Sequence, residues 1–196
     1  MNQTEIEAAG GVAAAGVPAR DESVDYYHRY IDRVIGAGPD VVAILRSQRD
    51  ETLAFLRGFT EEQSRFRYAA DKWSAREVLS HVNDCERLFV FRAMWFARGF
   101  ESPLPSFDQE VAAASSRADG VPWARLVEEF RVTRLSSEAF FGNLPAEAWS
   151  RRGIASGNPF TVRALAWITA GHLVHHREIL RERYWPSGGE PANRSR

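Results

Sequence analysis

The feature that most constrains this chain is a set of four long segments in which apolar residues recur at three- and four-residue steps. Such positions fall on one face of an α-helix, because the helix makes a turn every 3.6 residues. The segments cover residues 40–57, 75–98, 122–141 and 161–184. No alternating run is long enough to predict a sheet. The chain is therefore predicted to be all-α, a four-helix bundle.

Capping residues and breakers place the ends of these helices. Ser74 with Glu77 three residues later is a capping box, and Thr161 can cap the last helix. A short helical lead-in is predicted at residues 24–35. Residues 100–120 are rich in proline and serine, which predicts a long crossover loop with a helical turn at residues 109–115.

Length and composition fit one domain. A chain of 196 residues with 44% hydrophobic residues can fill a single core. We expect flexible tails at residues 1–22 and 186–196, with the bundle domain at residues 23–185. The amino-terminal stretch lacks the basic start of a signal peptide, and no apolar run is long enough to span a membrane.

Charge and cysteine content narrow the classes of function. The formal net charge is -1, so there is no electrostatic footprint for nucleic acid. The single cysteine, Cys85, excludes an intrachain disulfide and a cysteine-rich zinc module. Such cysteine usage fits a reducing compartment, and a cytoplasmic protein is expected.

Histidines form the clearest chemical pattern. Three of the five lie within one turn, and His172 and His176 share a helix face because four residues advance the helix to within about 40° of a full turn. His172 and His175 are about 60° apart and remain an alternative pair. His81 lies near the buried face of another helix and is the candidate third ligand for a metal ion in the bundle core.

Several motifs in order resemble the DinB/YfiT-like family of metal-binding bundles. They are KWSAREVLSHVNDCERLFVFRAMWFARG from Lys72, LPSFDQE from Leu104, EFRVTR from Glu129 and ITAGHLVHHREILRERY from Ile168. The resemblance implies one histidine ligand on the second helix and an HxxxH pair on the last. Carried over to this sequence, it assigns the metal to His81, His172 and His176 and implies a divalent ion, most often nickel or zinc.

The resemblance also implies a function and partners. The family includes transferases that use low-molecular-weight thiols, hydrolases and an isomerase, and it implies a homodimer. We therefore expect a metal-dependent enzyme, a thiol S-transferase or a hydrolase, acting on a small molecule. The alternative is a non-catalytic metal-binding module of the stress response.

Three further residues near the motifs are candidates for roles in the site. Asp84, three residues after His81, can orient a ligand, and Asp108 on the crossover loop can accept a proton, so both are tentative catalytic residues. Cys85, one turn after His81, can contact the metal as a thiolate or serve as a small buried residue.

Overall fold

A computed structural model of the protein describes residues 16–185. Within that range the chain forms six α-helices and one two-stranded hairpin. The helices are α1 (Asp25–Ile31), α2 (Val41–Leu56), α3 (Ala75–Ala97), α4 (Gln109–Ser116), α5 (Trp123–Gly142) and α6 (Val162–Ile179). The strands are β1 (Arg152–Ala155) and β2 (Asn158–Thr161). The predicted all-α fold is confirmed, with α2, α3, α5 and α6 as the four helices of the bundle.

Each of the four main helices packs against two others. α3 contacts α5 and α6, and α2 contacts the same two helices. The order around the bundle is therefore α2, α5, α3, α6, which puts α2 and α3 on one diagonal although they follow each other in the chain. α1 lies across α6 on the outside of the bundle. The closest packing, between α3 and α6, brings together the two helices that carry the histidine motifs.

Predicted helix ends agree with the structure to within one or two residues for α2, α3 and α5. The Ser74 hydroxyl accepts from the Glu77 backbone N–H, and the Glu77 carboxylate accepts from the Ser74 N–H, which is the predicted capping box. Gly99 follows α3 with φ +79, the left-handed conformation that ends helices. The Thr161 hydroxyl caps α6 by accepting from the Ala164 N–H.

The last predicted helix reaches Tyr184 as expected, but it is not an α-helix throughout. α6 closes at Ile179, and Leu180–Tyr184 continues it as a π-helical turn. A β-hairpin also occupies part of the second irregular stretch, where only turns were expected. Its strands pair Ala155 with Asn158, so Ser156 and Gly157 form a two-residue loop, both with positive φ as such loops require.

The amino-terminal boundary lies earlier than residue 23. Glu22 is buried, and its carboxylate accepts hydrogen bonds from the Thr161 hydroxyl and the Arg163 guanidinium. The Trp167 indole donates to the Gly16 carbonyl. Residues 16–22 therefore pack on the bundle and are not part of a free tail. The rest of both predicted tails, residues 1–15 and 186–196, lies outside the described residues.

Apolar side chains fill the bundle in two groups. One lies around Trp167, Phe96 and Phe160, and the other around Leu56, Phe130 and Leu79. In residues 16–185 no helix combines the length and the apolar character needed to cross a bilayer.

Gly171 lets α1 approach α6. A Cβ at this position would overlap the backbone carbonyl of Tyr30. We expect Gly171→Ala to destabilise the protein by about 1–3 kcal/mol through overpacking, although alanine normally favours a helix. Urea denaturation measures the difference. Gly142→Ala is the matched control, because the nearest atoms to its Cβ would be 3.9 Å away. Equal effects of the two substitutions would contradict the prediction.

Candidate metal centre

The three sequence-predicted histidines meet where α3 packs on α6. His81 lies in the second turn of α3, and His172 and His176 lie one turn apart in the second half of α6. The ring centroid of His81 is 5.1 Å from that of His172 and 4.8 Å from that of His176. One donor atom from each residue lies within 4.8 Å of the other two. The structure thus brings three imidazoles to one point.

Distances between the nitrogens fit one ion. Nε2 of His172 and Nε2 of His176 are 3.1 Å apart. Two nitrogens bound at about 2.1 Å from an ion lie roughly 3.0–3.4 Å apart in octahedral or tetrahedral geometry. A donor nitrogen of His81 lies within 4.8 Å of both. Nδ1 of His176, the ring nitrogen that does not bind the ion in this arrangement, is buried without a hydrogen-bond partner among residues 16–185.

The surroundings of the three rings keep them neutral. Burial lowers the pKa of His81 to about 4, with a smaller contribution from the charge of His175. Burial also holds the pKa values of His172 and His176 well below their usual range, followed by repulsion from the neighbouring histidines. Neutral imidazole is the form that binds a metal, so these ligands need no deprotonation near pH 7.

The lowered pKa values predict how stability depends on pH in the metal-free protein. Below pH 6.5 the unfolded chain protonates these histidines while the folded chain does not, so unfolding takes up protons and becomes easier as pH falls. We expect His81 alone to account for about 3 kcal/mol lost between pH 6.5 and 4. Urea denaturation at a series of pH values measures the slope. His81→Phe is expected to flatten that slope, and an unchanged slope would contradict the assignment.

Two cavities flank the histidines. The tyrosine cavity, about 350 Å³, is lined by Tyr26, Tyr27 and Tyr30 together with His81 and His172. Its wall also includes Cys85, Arg92, Ser106 and Ser156. His81 and His172 are therefore accessible to a small molecule in this cavity.

The second cavity, the His176 cavity, has a volume of about 310 Å³. Its lining includes His176, Asp71, Lys72 and Glu110. Gln109, the first residue of α4, lines both cavities. The amino-terminal end of α4, in the crossover loop, therefore separates the two openings.

Aromatic rings surround the histidines and limit their movement. The ring of Trp73 is 4.9 Å from that of His81. Tyr30 and Phe89 present ring edges to His172 at 5.3 and 5.5 Å. These contacts hold His81 and His172 in the orientation that faces the shared point.

Helical spacing in the sequence allows His172 to pair with either His175 or His176, and the structure distinguishes between these two pairs. His176, not His175, joins His172 and His81. His175 lies 5.5 Å from the ring of Tyr30, on the side of α6 covered by α1. His28 is remote, and its Nε2 contacts the Arg20 carbonyl.

The two tentative catalytic aspartates are not part of the histidine cluster and have other partners. Asp84 pairs with Arg87 at 3.5 Å and lines neither cavity. Asp108 is the N-cap of α4, where its carboxylate accepts from the Glu110 and Val111 N–H groups. Asp108 also lines neither cavity. Structural roles in pairing and capping therefore account for the observed contacts of both residues.

Cys85 is placed beside the site but in an unreactive form. Its Sγ is 3.6 Å from both nitrogens of His81, so it is aligned with neither lone pair. Burial raises the pKa of the thiol to about 12. These features agree with a small buried residue that packs against the ligand ring.

Sequence reasoning missed Arg92 and Tyr27 as members of the site. Both line the tyrosine cavity, and Arg92 is buried. A signal was present, because Arg92 lies eleven residues after His81, three turns along the same helix face, where the neighbouring positions are apolar.

Comparison with protein-family models identifies the family of the matched region. A model of the DinB superfamily matches residues 44–180, well over half of the chain. The matched range includes all three clustered histidines and all four main helices except the first residues of α2. No curated protein matches the chain.

Solved structures share the fold. YfiT from Bacillus subtilis, described as a probable metal-dependent hydrolase with an unusual four-helix bundle topology, superposes with a TM-score of 0.60 at 16% identity, over 86% of this chain and 94% of that chain. A DinB-like protein from Bacillus subtilis, YjoA, has a TM-score of 0.52 at 20% identity, over 79% and 99% of the two chains. At these identities the likeness concerns the fold.

Proposed function

The chain belongs to the DinB superfamily, and we propose that it is a divalent-metal-dependent enzyme whose ion is held by His81, His172 and His176. The observation that carries the proposal is three neutral imidazoles with donor atoms within 4.8 Å of one another. His81 and His172 line the tyrosine cavity, and His176 lines the His176 cavity. Three protein ligands leave coordination positions for a substrate, which is the arrangement of catalytic rather than structural sites. Imidazole donors suit zinc and nickel, which we propose as the ion.

Thiol transfer is the reaction that the tyrosine cavity supports best. A divalent ion in such a site lowers the pKa of a thiol or water that binds it. Among the described residues that line this cavity there is no Asp or Glu to act as a general base. A thiol needs such a base less than water does, because its pKa is much lower. We therefore propose a low-molecular-weight thiol as the nucleophile and an S-transferase reaction.

The protein's own groups would position the substrate. Burial raises the pKa of Tyr30 to about 12, so its hydroxyl stays protonated and can donate a hydrogen bond. Burial also raises the pKa of Tyr27. Phe89 and Tyr30 cover the ring of His172 and limit the access of water. These side chains bind and orient an organic molecule without taking a proton from it.

Hydrolysis is the second candidate. Asp71 and Glu110 line the His176 cavity and offer the carboxylates that the tyrosine cavity lacks. A carboxylate near a metal site can accept a proton from water. YfiT, a structural neighbour, is described as a probable metal-dependent hydrolase. If the protein is a hydrolase, the substrate enters through the His176 cavity.

The test begins with untagged protein loaded with zinc or nickel. Turnover of an electrophile that requires an added thiol supports the S-transferase, and turnover of chromogenic esters without thiol supports the hydrolase. Either activity is expected to disappear in His172→Ala. Bound metal without turnover, together with a large fall in melting temperature on chelation, would instead support the non-catalytic stress-response module and overturn the proposed enzyme.

We also propose a homodimer. Phe91 and Phe100 are exposed large apolar side chains near the end of α3, with Trp95 stacked on Phe100. Light scattering coupled to size-exclusion chromatography measures the mass in solution. A mass of one chain at micromolar concentration would contradict the dimer.

A further inference from the structure

The buried arginines of this protein differ in their partners. Arg76, Arg92 and Arg134 are all at most 2% exposed. Arg76 pairs with Glu61, and Arg134 pairs with Glu86. No carboxylate among residues 16–185 forms an ion pair with Arg92. An unbalanced buried charge is unfavourable, so its position calls for an explanation.

Hydrogen bonds satisfy only part of the Arg92 guanidinium. Nη2 donates to the Pro105 carbonyl at 3.1 Å and to the Ser156 hydroxyl at 2.8 Å. Nε is buried without an acceptor in the described part of the chain. Burial lowers the pKa of Arg92, and the nearby Tyr27 hydroxyl opposes that effect. The neutral acceptors tie the crossover loop and the hairpin to α3, but they supply no negative charge.

Arg92 lies in the wall of the tyrosine cavity, which it shares with His81 and His172. It is the one charged side chain among the described residues that line that cavity, if the histidines are neutral. Arg92 and His81 are eleven positions apart in the sequence, which corresponds to a rise of about 16 Å between their backbones along the helix axis. The cavity therefore has a cationic group and a metal-ligating group at different positions along α3, and a molecule that spans the cavity can contact both.

We propose that Arg92 binds the terminal carboxylate of an elongated organic substrate whose other end reaches His81, His172 and His176. This inference rests on the proposed function, because it assigns a substrate class to the same site. A carboxylate fits better than a phosphate. One guanidinium balances one negative charge, and the lining offers no second cation for a dianion. Arginine also binds carboxylates with paired, charge-assisted hydrogen bonds.

A matched pair of probes tests the proposal in the metal-loaded protein. 6-Mercaptohexanoate and 6-mercapto-1-hexanol have the same thiol and the same chain length, and only the first carries a carboxylate. We expect the wild-type protein to bind the carboxylate at least about tenfold more tightly, measured by calorimetry. We expect Arg92→Met to reduce the preference to within about twofold. Equal affinities of the wild-type protein for the two probes would overturn the proposal, whether or not the variant folds.

Ser156→Ala separates charge recognition from loop anchoring. This variant removes one hydrogen bond of Arg92 but keeps its charge. We expect the preference for the carboxylate to survive in Ser156→Ala and to be lost in Arg92→Met. If Ser156→Ala lost the preference as completely as Arg92→Met, Arg92 would act by anchoring the loop, and its assignment as the carboxylate site would be wrong.

Metal-free protein separates this inference from the proposed function. Arg92 does not need the ion in order to attract a carboxylate, so we expect the preference to persist without metal, with both affinities weaker. If the protein took up no metal when metal was offered but still preferred the carboxylate probe, the proposed metal-dependent enzyme would be refuted and the carboxylate site would be supported. If the protein bound metal stoichiometrically but bound the two probes equally, the carboxylate site would be refuted and the metal site would be supported.

Discussion

His172→Ala is expected to lower the affinity for the metal at least about 100-fold. The variant removes one of three ligands, and loss of groups that merely support a ligand already costs 10- to 100-fold. His172 is buried, and its Nε2 is 3.1 Å from that of His176. Elemental analysis of untagged protein, followed by competition with a chromophoric chelator, measures stoichiometry and affinity. Full retention of the ion by this variant would refute the site.

His175→Ala is the matched control. It removes an adjacent imidazole from the same helix turn, but His175 is not part of the cluster. We expect metal content and affinity to remain those of the wild-type protein. Adding His176→Ala as a third variant tests the two alternatives that sequence spacing leaves open, because His176→Ala is expected to lose metal and His175→Ala is not. Loss of metal in His175→Ala alone would support the alternative pair.

Glu86→Gln is expected to destabilise the protein by about 3–5 kcal/mol, because it leaves the buried Arg134 guanidinium without its counter-charge. The Glu86 carboxylate accepts from Nε and Nη2 of Arg134 at 2.9 Å, and from the Ser137 hydroxyl at 2.7 Å. Nη1 of Arg134 donates to Gln48, whose amide donates to the Ala170 carbonyl. The network therefore connects all four main helices. Denaturant unfolding of the purified variant measures the loss.

Two controls isolate the buried charge. Glu128→Gln removes a carboxylate from an exposed pair with Arg131, and little change in melting temperature is expected there. Replacing both partners with Glu86→Leu and Arg134→Met removes the unpaired charge as well. We expect the double variant to recover much of the stability that Glu86→Gln loses. If Glu86→Gln were as stable as the wild-type protein, the account of the network would be wrong.

Local patterns were sufficient to predict the helices. The ends of α3 depend on Ser74, Glu77 and Gly99, which act within one turn of the chain. The same holds for Thr161 at the start of α6. Such interactions involve residues close in sequence, so their pattern is visible without a structure.

The β-hairpin was not predicted from local sequence patterns. Its strands are only four residues each and lack regular alternation of apolar and polar residues. The Ser-Gly pair at residues 156–157 was a usable turn signal. The hairpin forms where β1 contacts α3 and β2 contacts α6, and these partners are distant in sequence. Tertiary packing therefore stabilises strands that local propensity does not favour.

The histidines of the candidate metal site could be predicted from the sequence, but the residues that surround them could not. Helix geometry places His172 and His176 on one face, and the position of His81 on another helix made it the candidate third ligand. The family motifs implied the same three residues. Asp84 and Asp108 were candidates for catalytic roles because they lie near the site motifs in the sequence. In the structure Asp84 pairs with Arg87, and Asp108 caps α4. Sequence distance does not indicate which way a side chain points once helices pack.

By itself, the sequence determined four amphipathic helices, their caps and two imidazoles on one face of the last helix, because each of these follows from helical periodicity and neighbouring residues. The family resemblance implied His176 rather than His175, and the tertiary structure places His176 in the cluster with His81. Only the tertiary structure decided that Arg92 shares a cavity with His81 and His172. Those outcomes depend on how α3 crosses α6 and on what the crossover loop and the hairpin cover. Packing between distant segments sets that geometry, and no local pattern encodes it.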